Sequence, residues 1–257
     1  MKFSLKRLLM PTLLAFALGL VTSCGGGKGV PSGDGGVSKP SRSGVAVFSN
    51  DTYVDYTDSA SSSEAYNLTQ TLASLGETVT TFTGITSADF SGNATGDTLA
   101  LAIPELENGI LSPNLDAAAK TAIANYVNGG GTLLIFGTNN DTSEDGDFLN
   151  SIFGFSIVST HADAVGLIRL TAAAVGTPFS GEAATILGND ATTVLTTASL
   201  PAGAKVIYSD NNGDTVVMYV PVGSGHVVYL GYDWYDAAPF GTQDGGWVSV
   251  LDAALNL

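Results

Sequence analysis

The stretch Gly129-Gly130-Gly131-Thr132-Leu133-Leu134-Ile135-Phe136-Gly137 decides the fold. A short apolar run bounded by glycines reads as a strand buried on both faces. Upstream of it, Leu115, Ala119, Ala122, Ile123, Tyr126 and Val127 recur at helical spacing. Ser112-Pro113 opens that helix with proline at the first helical position, and the three glycines end it. A helix delivering the chain directly into a doubly buried strand is half of a β-α-β unit.

Working outward, Gly44-Val45-Ala46-Val47-Phe48-Ser49 is a second buried strand, ending in the polar pair Asn50-Asp51. Ser61 to Glu64 has capping-box spacing, after which Ala65, Leu68, Leu72 and Leu75 share one helical face and Gly76 closes the helix. Thr78 to Thr83 and Thr98 to Ile103 are further strands, the latter stopped by Pro104. The expected order is β-α-β-β-α-β. This defines an α/β fold with a mainly parallel sheet and helices on both faces. The second half is richer in strand. Leu167 to Leu170 is one, Lys205 to Ser209 and Thr215 to Val220 form a hairpin around Asn211-Asn212-Gly213-Asp214, and His226 to Leu230 is another. Phe148 to Phe153 predicts a short helix, and Trp247, Val250, Leu251 and Ala254 predict a closing one. Thr171 to Pro201, rich in Ala and Thr, selects no element.

The N-terminal region has a different chemistry. Lys2, Lys6 and Arg7 precede an uncharged run of 13 residues, Leu8 to Leu20, too short to span a bilayer and the size of a signal-peptide core. Val21-Thr22-Ser23-Cys24 follows, and it resembles the lipobox of bacterial lipoproteins, with valine where leucine is commonest. The resemblance implies a signal peptide over 1-23 and lipid attachment to Cys24. It also implies a membrane-anchored protein of the cell envelope, on the outer membrane or cell surface. Residues 24-43 are rich in Gly and Ser and broken by Pro31 and Pro40, the composition of a flexible tether. The remaining 214 residues, 44-257, can bury the core of one domain.

Cys24 is the only cysteine, so no disulfide and no thiolate chemistry remains for the domain. Of the 24 Asp and Glu only Asp34 precedes Gly44, which leaves 23 against Lys120, Arg169 and Lys205, a net charge of −20. Such a field repels phosphate backbones and excludes nucleic acid as a partner.

Val45 to Asn50, the central stretch Gly129 to Gly137, and Gly223-Ser224-Gly225-His226-Val227-Val228-Tyr229-Leu230-Gly231 together resemble the class I glutamine amidotransferase-like superfamily, a flavodoxin-like α/β fold. The resemblance is closest to its noncatalytic branches, in exported proteins and near trehalose-utilisation proteins. Catalytic members place a cysteine on a tight turn after a central strand, with His and Glu close together further on. Here Gly137-Thr138-Asn139 occupies that turn, no His-x-Glu occurs, and His226 precedes its strand. The resemblance implies the fold without the chemistry.

In an open parallel sheet, ligands sit beyond the carboxyl ends of the strands. Those ends supply Asn50, Asp51 and Tyr53, then Glu105, then Thr138 and Asn139, then Asp233 and Trp234. Carboxylates and amides bond hydroxyls and rings cover the apolar face of a sugar, so the set suits a polyhydroxylated ligand. Polar residues also end strands simply because loops are surface. Asp141-Thr142-Ser143-Glu144-Asp145-Gly146-Asp147 has the oxygen spacing of a calcium loop, but Ile152 stands where the bidentate Glu is needed, so an acidic surface loop is expected. His161 and His226 lie 65 residues apart in no metal-ligand pattern, and Val222-Gly223-Ser224-Gly225 is not a nucleophile elbow. No metal and no cofactor is expected. The reading is an envelope-anchored lipoprotein with a noncatalytic domain that binds a carbohydrate-like small molecule, glycan or protein ligand. The alternatives are a hydrolase using Asp51, Glu105 and Asp233, or an accessory protein of a surface assembly.

Overall fold

The computed structural model describes residues 42–57, 61–138, 143–160, 166–189 and 191–257. The expected signal peptide, Cys24 and almost all of the tether lie outside the described residues, as do Asn139, Asp141, Thr142 and His161.

The parallel block forms as expected, with one helix more. It runs β1 (Ser43–Phe48), α1 (Glu64–Ser74), β2 (Val79–Phe82), α2 (Ser87–Asn93), β3 (Thr98–Ile103), α3 (Ala117–Asn128) and β4 (Thr132–Phe136). The unexpected α2 carries a complete capping box: Thr86 Oγ1 accepts from the Asp89 N–H, and the Asp89 carboxylate accepts from the Thr86 N–H at 2.9 Å. Only Phe90 of that helix is buried, so its apolar periodicity is too thin to read. Two helix starts also shift. Ser112–Asn114 is a separate 3₁₀ turn, and α3 is capped by Asp116, whose carboxylate accepts from the Ala119 N–H at 2.7 Å. At α1 the Ser61–Glu64 box does not form. Ser63 is the cap, and its hydroxyl donates to the Asp55 carbonyl at 2.8 Å.

Beyond β4 come α4 (Glu144–Phe153), β5 (Ser159–Thr160), β6 (Gly166–Leu170), β7 (Thr185–Gly188), β8 (Val194–Leu195), β9 (Lys205–Ser209), β10 (Thr215–Val222), β11 (Gly225–Leu230) and α5 (Trp247–Leu255). The sheet has the order β2-β1-β3-β4-β11-β10-β9-β6-β7, with β5 and β8 paired beside β10. From β2 to β11 neighbours are parallel, and from β11 outward they are antiparallel. The sheet is therefore mixed. One face packs Val47, Leu134, Val228 and Leu230 on Leu68 and Leu72 of α1 and Val250 and Leu251 of α5. The other packs Phe48, Leu133, Ile135 and Tyr229 on Phe90, Ile123 and Phe148. Alternate residues of each central strand serve opposite faces, which is why these strands are continuously apolar.

Two features orient the site. Successive connections leave β1 first toward β2 and then, through α2, cross to β3 on its other side, so the order reverses between β1 and β3. In open α/β sheets the carboxyl ends of the strands beside such a reversal are where ligands bind. At the opposite edge, Arg42 fastens the chain where it joins β1. Its guanidinium donates to the carbonyls of Thr98 (3.1 Å) and Gly129 (2.7 Å) and lies 5.6 Å over the Tyr126 ring.

Candidate functional site

Registered parallel strands carry their ends to a common edge: Val47 pairs with Ala102, Ala102 with Leu134, and Leu134 with Val228. The segments after β1, β3, β4 and β11 therefore all emerge there. Glu105, two residues past β3, is buried at 1% exposure and accepts from the Trp234 N–H through Oε1 at 2.8 Å. The carbonyl of the same residue, Trp234, accepts from Asn67 Nδ2 of α1 at 2.9 Å. Glu64 lies one helical turn before Asn67 and on the same side of α1. Glu105 and Asn67 thus bond the two sides of the Trp234 backbone, with Glu64 one turn before Asn67.

Acidic groups gather here. Burial pushes the Glu105 carboxyl well above the usual range, and the neighbouring Asp233, Glu107 and Glu64 raise it further. Glu64 is pushed up to about 8, again first by burial, then by the fields of Glu107, Asp233 and Asp55. Outside the N-terminal region the chain has only Lys120, Arg169 and Lys205 as strong bases. None of the three is among the groups that act on Glu64 or Glu105. Four buried polar atoms of the site have no hydrogen-bond partner: Glu64 Oε2, Asn67 Oδ1, Glu105 Oε2 and the Trp234 indole Nε1. Each is costly to leave so in an apolar interior.

The expected site residues divide. Glu105, Asp233 and Trp234 come together, and Thr138 joins them through its hydroxyl, which accepts from the Leu106 N–H at 2.9 Å. Trp234 is 1% exposed and packs edge-on against Phe136 and Tyr232, so its indole is a core ring rather than a platform for a ligand. Asn50 spends its amide on the local turn, donating to the Thr83 carbonyl at 2.7 Å and accepting from the Thr52 N–H at 3.0 Å. Tyr53 is buried against Phe48. Asp51 is exposed, and the carboxylates acting on Glu105 are Asp233, Glu107 and Glu64 instead. Sequence reasoning missed Glu64, Asn67, Glu107 and Asp55. The available signal was polar: Asn67 and Thr71 lie i, i+4 beside the apolar stripe of α1, and both are fully buried. Exposed rings do occur nearby in the chain, at Tyr235 and Phe240, the latter edge-on to Tyr66 at 5.2 Å.

The acidic segment after β4 also differs from the expected surface loop in its described part. Glu144 and Asp145 begin α4 at 1% exposure. Glu144 accepts from the Ser112 N–H at 2.6 Å, and Asp145 accepts from the Ser159 hydroxyl at 2.6 Å. Burial raises both carboxyls.

The turn after β4, where the resemblance would put a nucleophile, is filled by other side chains. A Cβ on Gly137 would meet Thr193 Oγ1 at 2.0 Å and the Tyr229 hydroxyl at 2.4 Å, two groups that bond each other at 2.7 Å. Thr138 is 4% exposed. A groove of about 810 Å³ lies elsewhere, between α2 and α3, and its lining of small residues and Tyr126 holds no carboxylate or base. A cavity of about 210 Å³ does open at the strand-end edge, beside Asn189, Tyr232 and Asp244.

No family model and no curated protein matches the chain. Solved structures do. A ThuA-like protein from Bacteroides uniformis ATCC 8492 aligns at 14% identity with a TM-score of 0.56, over 88% of this chain and 94% of that one. A cytoplasmic protein of Salmonella typhimurium LT2 aligns at 14% identity and 0.56, over 82% and 98%. A β-galactosidase from Rahnella sp. R3 aligns at 12% identity and 0.52, and there the chain spans 31% of the enzyme. The domain has the ThuA-like, class I glutamine amidotransferase-like fold. At these identities the likeness is one of fold.

Proposed function

We propose that this chain is an envelope-anchored lipoprotein whose α/β domain binds a carbohydrate-like ligand at the carboxyl edge of the parallel strands, without hydrolysing glutamine. The observation that carries the reading is the set of unpartnered atoms, acceptors on Glu64, Asn67 and Glu105 and a donor on Trp234. Sugar hydroxyls both donate and accept, so one ligand class answers both kinds of group. The filled turn at Gly137 and the absence of any cysteine beyond Cys24 support the noncatalytic half. The anchoring half rests on Val21 to Cys24. Calorimetric titration of the protein with a panel of neutral and amino sugars tests the site, with binding weakened at least tenfold in Asn67→Ala. A panel without any binder rejects the reading. Cys24→Ser tests the anchor, and a variant whose signal is removed yet which still partitions with membranes rejects it.

A second reading, a hydrolase using carboxylates as acid and base, is favoured by one observation, the Glu64 carboxyl pushed up to about 8. Such a group exchanges protons near neutral pH, as a general acid must. Turnover of chromogenic glycosides that disappears in Glu64→Gln would establish it, and absence of turnover across the panel would reject it.

A further inference from the structure

Three of the unpartnered atoms, Glu64 Oε2, Asn67 Oδ1 and Glu105 Oε2, are oxygens. They belong to residues 8%, 0% and 1% exposed. They stand inside a group of carboxylates, Asp55, Glu64, Glu105, Glu107 and Asp233, drawn from the loops after β1, β3 and β11 and from the first turn of α1. The phenols of Tyr229 and Tyr232 are the other titratable groups feeling Glu105 and Asp233. The charged groups that act on Glu64 and Glu105 are all acids. Carboxylates kept this close in a buried setting need either protons or a bound cation.

The identity of the cation follows from the count of donors and acceptors. Among the described residues no group of three or more His, Cys, Asp or Glu is placed to hold a metal ion. An alkylammonium has three N–H donors and no acceptor, which matches three acceptor oxygens held by α1 and the β3 loop. The amide oxygen of Asn67 is oriented by its own nitrogen, which donates to the carbonyls of Ser61 and Trp234 (2.9 Å), so it faces away from those two. Trp234 Nε1, the one unpartnered donor, suits a hydroxyl oxygen of the same molecule.

We infer that the strand-edge site is selective for a ligand carrying a primary amine, an amino sugar in preference to its neutral counterpart, with Glu64, Asn67 and Glu105 receiving the ammonium. This rests on the carbohydrate reading above and adds a charge requirement to it. Binding then displaces the protons these carboxylates otherwise hold.

The test is calorimetric titration of the full chain at pH 7.5 with glucosamine, glucose, N-acetylglucosamine and ethylammonium, repeated in two buffers of different ionisation enthalpy. The expected result is glucosamine binding at least tenfold tighter than glucose and N-acetylglucosamine, with protons released. That preference should collapse in Glu64→Gln and in Asn67→Ala, each checked for fold by circular dichroism. Should both variants unfold, proton release by the unaltered protein still decides the matter. Equal binding of glucosamine and glucose, or glucosamine binding without proton release, overturns the amine requirement and leaves the carbohydrate reading standing. Ethylammonium binding with no sugar bound sustains the ammonium site and overturns the carbohydrate reading. Binding of none of the four overturns both.

Discussion

The two edges of the parallel block are built on opposite principles. At the amino edge, one Arg42 guanidinium meets backbone carbonyls of Thr98 and Gly129, so a positive charge closes the ends of β3 and α3. At the carboxyl edge, several acids crowd the ends of β3 and β11 with polar atoms unpartnered. The first arrangement satisfies its groups and stabilises the fold. The second buries acids that stay protonated well above the usual carboxylate range and costs stability, the usual signature of a place kept for something other than folding. The contrast also explains why the edges respond differently to pH, since a guanidinium does not titrate while Glu64 and Glu105 do.

The sharpest way to break the carboxyl edge is to add one methyl group. Gly137→Ala drives a Cβ into Thr193 and Tyr229 and should destabilise the domain by about 3 kcal/mol or more. Thermal unfolding reads this, and a variant with the original midpoint would mean that the turn is roomier than described.

Next is the pH profile. Glu64 and Glu105 ionise at higher pH in the folded state than in the unfolded chain. Stability is therefore full below about pH 4.5, where both states are protonated, and falls as pH rises toward and through about 8 for Glu64. Glu105→Gln removes one such group. It should raise the unfolding midpoint by roughly 3–8 °C at pH 8.5, with little change at pH 4.5. A midpoint for the unaltered protein that rises across that range contradicts the buried-acid description.

At the amino edge, Arg42→Ala should cost about 1–2 kcal/mol, the worth of charge-assisted bonds at a partly exposed site, equally at both pH values. An effect that varied strongly between them would show the two edges to be coupled.

The smallest effect is optical. Trp234 and Trp247 are 1% and 0% exposed, so acrylamide should hardly quench either until unfolding. Ready quenching in Trp247→Phe would place the Trp234 indole at the surface.

How far the sequence could be read follows the same division. Strands β1, β3, β4 and β11 were legible because burial on both faces leaves continuous apolar runs. The α2 helix was not, because a single Phe90 anchors it. Strands β7 and β8 were not: β7 is four residues long with Thr and Leu on its exposed side, and β8 is only two buried residues. For the site, register alone carries Glu105 and Asp233, read from their positions after strand ends, to one edge. Position after a strand end misjudged Trp234 and Tyr53, whose rings turn inward, because periodicity says nothing about loops. It could not reach Glu64 and Asn67, which come from a helix start. There a carboxylate looks like a capping residue whatever else it does.

The fastening at Arg42 has a mechanical meaning. β1 lies between β2 and β3, parallel to both. A pull on the chain just ahead of Ser43 runs along the strand axis and loads both ladders in shear, so many hydrogen bonds must yield together rather than peel in turn. The guanidinium spreads part of that load onto the end of α3 before β1 feels it. A domain dragged by its leading end would strain first at the amino edge, leaving the acidic carboxyl edge at the far end of the same strands under the least tension.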